Sequence, residues 1–177
     1  MPPSIEDYRL RLANLAVGPT TLRNQGASGV AEAAREFLSK LNLTKFVHEN
    51  ETAFAHELDR QTESLIKSLP KGAQHWGTAR KAINLFLGEA YYHKFVCSAY
   101  GLEKIEGFLE LPLDGQVGSF LTREARKAGE EKFPRWSGIK FLTASISKQY
   151  QDFAFEFAKS VGDDWARIHL DVIIWRR

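Results

Sequence analysis

Apolar residues recur every three or four positions along most of the chain and alternating β-branched runs are scarce, so the pattern predicts helices joined by short turns. Ser28 to Leu43 reads as one helix, with Val30, Ala33, Ala34, Phe37, Leu38 and Leu41 at helical spacing in an alanine-rich segment. Glu49 to Leu69 reads as another, carrying Phe54, Leu58, Leu65 and Ile66 as its apolar stripe and Pro70 as its stop. The glycines and mixed polarity of Lys71-Gly72-Ala73-Gln74-His75-Trp76-Gly77 mark a hairpin or loop. A helix resumes from Thr78 to Tyr100, closed by Gly101, and Leu102 to Leu111 has room for a short helical turn before Pro112. A new helix starts near Asp114, Ala128 to Gly138 fits a surface loop, Thr143 to Ser160 is strongly amphipathic, and Trp165 to Trp175 reads as the last helix.

Composition narrows the class. The chain has 177 residues, 44% of them hydrophobic and 26% charged, which suits one core or two small helical lobes sharing a cleft. No window reaches the apolar length of a membrane span, and MPPSIEDYRL carries acidic residues where a secretory signal carries basic ones, so a soluble, cytoplasmic protein is expected. A single cysteine, Cys97, excludes a disulfide or a four-cysteine cluster within the chain. The five histidines are scattered without ligand spacing, so neither a metal nor a cofactor is expected. The formal charge of +2 is small, but from Arg60 to Lys81 five basic residues face one acidic residue, Glu63.

Two residues stand in suggestive settings. Lys81 follows the glycine-bearing hairpin, and Asp114 follows Leu111-Pro112-Leu113 at the mouth of a helix. Alone, the first is compatible with a solvated surface lysine and the second with a plain N-cap. Their surroundings pair them. Gly77-Thr78-Ala79-Arg80-Lys81-Ala82-Ile83-Asn84 resembles the hairpin and following helix of the helix-hairpin-helix DNA glycosylases, and Leu111-Pro112-Leu113-Asp114-Gly115-Gln116-Val117 is similar to that family's Pro-Val-Asp-Thr-His-Val segment. The step from Lys81 to Asp114 is similar to that of the archaeal 8-oxoguanine glycosylase branch.

The resemblance extends to both ends of the chain. Leu22 to Ser28 resembles the family's early turn, whose glutamine, here Gln25, lies at the base pocket or the DNA. Arg167 to Trp175 resembles the closing helix of the archaeal branch, in which an Asp and a Trp four residues apart, here Asp171 and Trp175, face the extruded base. Two features depart from the family: the hairpin is extended between Pro70 and Gly77 with Ala79 in place of its second glycine, and Gly115-Gln116 follows the aspartate.

The resemblance implies a mainly α, glycosylase-like single domain acting as a monomer on duplex DNA with one extruded base, an oxidised purine being favoured. Lys81 would be the amine nucleophile at C1′ and Asp114 the carboxylate that stabilises positive charge on the sugar or takes up the proton of the nucleophile. Burial beside Arg80 would lower the lysine pKa and Asp114 would oppose this. Gly77 and Thr78 amides with Lys71, Arg80 and Arg123 would hold phosphates, and Trp76 would pack the hairpin or insert near the DNA. Two alternatives stay open: a glycosylase in which Asp114 activates water and Lys81 only binds DNA, and a helical DNA-binding module without turnover.

Overall fold

One helix near the middle of the chain is apolar on nearly every side, and such a helix must be enclosed by others. In a computed structural model, which describes residues 3–175, this is α4 (Trp76–Tyr92), with Ala79, Ala82, Ile83, Phe86, Leu87 and Ala90 all buried. Around it lie α1 (Ile5–Ala16), α2 (Val30–Ser39), α3 (Glu51–Ser68), α5 (Lys94–Tyr100), α6 (Gly115–Lys127), α7 (Ala144–Val161) and α8 (Leu170–Ile174). Short 3-10 segments occupy Leu43–Phe46, Leu102–Phe108, Ile139–Phe141 and Arg167–His169. Among the described residues there is no β-strand, and no helix is long and apolar enough to cross a membrane.

The apolar side chains form two clusters. The first gathers α1 to α5 and the 3-10 turn that ends at Phe108; the second gathers α6, α7 and α8 around the fully buried Tyr150. Leu109 belongs to the first and Leu111 to the second, so the extended stretch between Phe108 and Asp114 crosses from one to the other.

Four polar side chains grip that crossing. Arg80 on α4 donates two hydrogen bonds to Glu110, at 2.9 Å each, and Asn84 one turn later donates a third at 2.8 Å. Gln151 on α7 accepts from the Leu111 amide at 2.9 Å and donates to its carbonyl at 2.8 Å. Arg167 donates to the carbonyls of Phe108 and Leu109. The backbone groups of an extended segment have no ladder of their own; Gln151 and Arg167 satisfy those of Phe108, Leu109 and Leu111, while Arg80 and Asn84 hold the segment through the Glu110 carboxylate.

Several boundaries differ from the periodicity. A helix precedes the predicted ones: Ser4 and Asp7 form a capping box that starts α1, with Asp7 in the place usually held by Glu or Gln. The predicted helix from Ser28 shrinks to Val30–Ser39, because Gly29 at its start is left-handed and Asn42 takes the Thr44 amide to begin a separate 3-10 turn. Thr78 to Tyr100 is two helices, broken at His93, whose extended backbone lets its ring accept from the Val96 amide and pack 5.0 Å from Tyr8. Trp76 and Gly77, read as hairpin, form the first turn of α4. The last helix is a 3-10 turn followed by the five residues of α8.

The Arg80 to Glu110 pair is the test of this arrangement, since breaking a buried ion pair leaves one charge uncompensated. Arg80→Met is expected to cost about 3–5 kcal/mol in denaturant unfolding, and Glu110→Gln a smaller part of that because Asn84 keeps a partner.

Candidate active site

Lys81, Leu85 and Glu89 follow one another at four-residue spacing on α4, so one stripe of that helix lines a cavity of about 620 Å³. The opposite wall carries Asp114, the N-cap of α6. Its Oδ1 accepts from the Gln116 and Val117 amides, both at 2.9 Å, which fixes the carboxylate and leaves Oδ2 pointing at the lysine. Lys81 Nζ lies 3.5 Å from that Oδ2 and 3.4 Å from the Thr21 carbonyl, and the residue is only 8% exposed.

The other predicted pocket residues line the same cavity. Gln25 is buried, accepting from the Thr78 hydroxyl at 2.7 Å and donating to the Arg23 carbonyl at 3.0 Å, so its amide is held in one orientation. One amide N–H and one carbonyl lone pair of Gln25 have no partner among the described residues. Asp171 accepts from the Trp175 indole at 3.1 Å, and Trp175 is 59% exposed at the rim. Gln116, whose identity departs from the family pattern, donates to the Ile174 carbonyl and ties α8 to α6. Gln25, Lys81, Asp114, Asp171 and Trp175 therefore surround one space although they span most of the chain.

The predicted phosphate contacts are arranged otherwise. Arg80 is turned inward, held by Glu110, Asp59 and Thr62, so it presents no guanidinium to a ligand and its charge is taken up by carboxylates. Trp76 packs half-buried against the second cluster with the Arg80 guanidinium 5.0 Å from its ring, which is the packing role of the two expected for it. Gly77 is buried: a Cβ there would lie 2.3 Å from the Ile139 carbonyl oxygen, which is why glycine is required. Thr78 is fully buried, so its amide does not reach the surface, and its hydroxyl donates to Gln25. Of that predicted set, Lys71 and Arg123 are exposed, Arg123 lying over the Phe120 ring and paired with Glu124.

Glu89 and Thr21 in the cavity, and Glu110, Gln151 and Arg167 behind it, were not singled out by the sequence reading. Glu110 had a signal, since it is the one charged residue in the apolar run from Phe108 to Leu113. Glu89 had another, lying two turns beyond Lys81 on the same stripe.

Electrostatically the cavity is an acidic setting for one amine. Burial holds the Lys81 pKa below the ordinary lysine value, and the charges of Asp114 and Asp171 work against that shift. Asp171 is pushed up to about 6, first by burial and then by the Asp114 charge, with the Trp175 hydrogen bond opposing. Burial also raises Glu89. A lysine lowered this way holds more free amine near neutral pH than a surface lysine, and a free amine is a nucleophile.

No family model, no curated protein and no solved structure matches the chain.

The Asp171 shift has a definite sign. The group has an ordinary value of 3.8 and a folded value of about 6, so the folded state binds more protons between those limits. Its charged form then costs stability above about pH 6, and the cost disappears as pH falls toward 4. A carboxyl titration near pH 6, seen by carbon NMR, should vanish in Asp171→Asn, together with this part of the pH dependence of unfolding. A carboxyl at position 171 titrating near 4 would contradict the assigned environment.

Proposed function

We propose that the chain is a DNA glycosylase that removes a modified base, an oxidised purine being favoured, with Lys81 as amine nucleophile and Asp114 as its carboxylate partner. The observation that carries this reading is the approach of Lys81 Nζ to within 3.5 Å of Asp114 Oδ2 inside a cavity that Gln25, Asp171 and Trp175 also line. A nucleotide is accessible to such a cavity only after leaving the base stack, so the reading includes base extrusion, and it takes the two apolar clusters as two lobes flanking the cleft.

Chemically, the Nζ lone pair forms a bond to C1′ while the C1′–N bond breaks and its electrons leave with the base. The proton lost by the amine passes to the departing base, directly or through Asp114. The nitrogen lone pair then expels O4′ from C1′, O4′ takes up a proton from water, and the opened sugar is held as a protonated Schiff base between Lys81 and C1′. Loss of the C2′ proton allows β-elimination, which expels the 3′ phosphate. Asp114, fixed by two amides, stabilises the positive charge that builds on the sugar as the glycosidic bond stretches. Gln25 and Asp171 supply one fixed donor and one carboxylate for the edge of the base, and the exposed Trp175 supplies a ring to stack on it.

Two variants divide the roles. Lys81→Gln should lose borohydride trapping on a duplex with an abasic site, because Lys81 is the lysine that lines the cavity among the described residues. Asp114→Asn should lower base release by roughly a hundredfold or more, and the fold should survive because asparagine caps helices as well as aspartate. Full base release in Asp114→Asn sinks the reading. Base release without trapping in Lys81→Gln moves it to the water-using route.

A further inference from the structure

We infer that the exposed face of α6, together with the loop at Arg135 and Trp136, is a groove for the phosphate backbone of the DNA strand that carries the extruded nucleotide. The inference rests on the glycosylase reading for its choice of ligand. It answers a question left by the hairpin, whose predicted cation Arg80 is locked onto carboxylates.

The groove, of about 590 Å³, is lined by Arg123, Arg126, Lys127 and Arg135 beside Trp136, and by no carboxylate. Arg123 and Lys127 share Glu124, each at 3.1 Å. The side chains of Arg126 and Arg135 are exposed and make no ion pair or hydrogen bond among the described residues, so their charge is available. Surface arginines left unpaired beside one another repel, and an anion between them relieves that repulsion.

The wall opposite α6 is built rather than accidental. Trp136 lies flat on the helix where residue 118 is glycine: a Cβ there would stand 2.2 Å from the indole ring. The buried Tyr150 donates to the Pro134 carbonyl at 2.9 Å, with the Thr122 hydroxyl 2.8 Å from its oxygen, so the loop is fixed from beneath. Arg135, between these two anchors, is thereby set against Arg126 and Arg123.

The groove is also continuous with the cavity. A depression of about 300 Å³ shares Asn24, Gln25, Gly115 and Ile139 with the cavity and Trp136 with the groove. Phe141, 67% exposed, and Lys140 stand on that depression. Beyond its cap Asp114, α6 runs 13 residues from Gly115 to Lys127. That is about 20 Å, or roughly six base steps of a duplex strand. A strand with one nucleotide in the cavity would leave its neighbouring phosphates along this path.

The test is binding of a fluorescent duplex of roughly 24 base pairs, with a central tetrahydrofuran abasic analogue, between about 0.05 and 0.2 M salt. Relative to wild type, Arg126→Ala/Arg135→Ala should bind roughly tenfold or more weakly, and its slope of log affinity against log salt should be shallower by about 1.8, for two lost phosphates. Lys94→Ala/Lys104→Ala removes equal charge outside the groove and should leave the slope unchanged. Cutting the duplex short on one side of the analogue should erase the difference between wild type and the arginine variant; cutting it on the other should not. Equal slopes for wild type and the arginine variant overturn the groove, as does absence of duplex binding by wild type, and would leave the arginines to some other acidic partner. Borohydride trapping by the wild-type protein tests the glycosylase reading separately: a groove effect without trapping keeps the groove and discards the nucleophile.

Discussion

The arrangement depends on one buried ion pair. Arg80 and Lys81 are adjacent on α4, and Glu110 precedes Asp114 by four residues on the crossing segment. When Arg80 closes on Glu110 with two hydrogen bonds, it sets the register between helix and segment and so brings Lys81 to Asp114. Removing two charges from water costs several kcal/mol per ion, so such a pair persists only where its remaining hydrogen-bonding capacity is met. Here it is met: Asn84 donates to Glu110, and Asp59 and Thr62 accept from Arg80. Burial alone would raise the Glu110 pKa, but Arg80, with the Asn84 hydrogen bond and the Arg167 charge, more than reverses this and keeps the carboxyl ionised. The result is a lysine and a carboxylate held in place by residues that line none of the cavity between them.

Charge is distributed unequally over the molecule, and the distribution follows what each place can hold. Inside the cavity, carboxylates from Asp114, Asp171 and Glu89 face the Lys81 amine and the exposed Arg23. Such a setting favours positive charge appearing on a bound sugar and opposes the entry of phosphate. On the α6 face the balance reverses, with four basic residues and no carboxylate lining the groove. A polyanion with one neutral group to deliver fits this division, since its backbone is attracted to the outer surface while only the delivered group enters the acidic interior.

Legibility from the sequence was uneven for physical reasons. Lys81 and Asp114 each sit at a local landmark, a lysine one turn into a helix after a glycine-bearing connection and an aspartate after a proline where a helix must begin, but only the resemblance of their surroundings paired them. Gln25, Asp171 and Trp175 came from motif resemblance, and they share the cavity with the pair. The inward turn of Arg80 was not readable, because α4 has no polar face by which to orient it; Arg80 and Lys81 are adjacent and both buried. Helix ends failed where a polar side chain competes for the backbone, as Asn42 and His93 do. The first helix escaped because half of it is solvent-facing, with Leu10 and Leu15 exposed, so its apolar stripe is blurred.

What ties chemistry to surface is α6 itself. Its first turn is anchored by Asp114, whose carboxylate satisfies two amides that would otherwise have no acceptor and lies at the positive end of the helix dipole. Its last turn holds Arg126 and Lys127, which suit the negative end. Each end is therefore stabilised by the charge it carries, independently of any ligand, and a straight helix between them fixes their separation. Glycine at 118 keeps the middle low enough for Trp136 to lie across it, so the wall of the groove depends on the same helix that presents the carboxylate. A shift of α6 along its axis would move both together. On the proposed reading, this makes the distance from the reacting sugar to the anchored backbone a property of one secondary-structure element rather than of the loops around it.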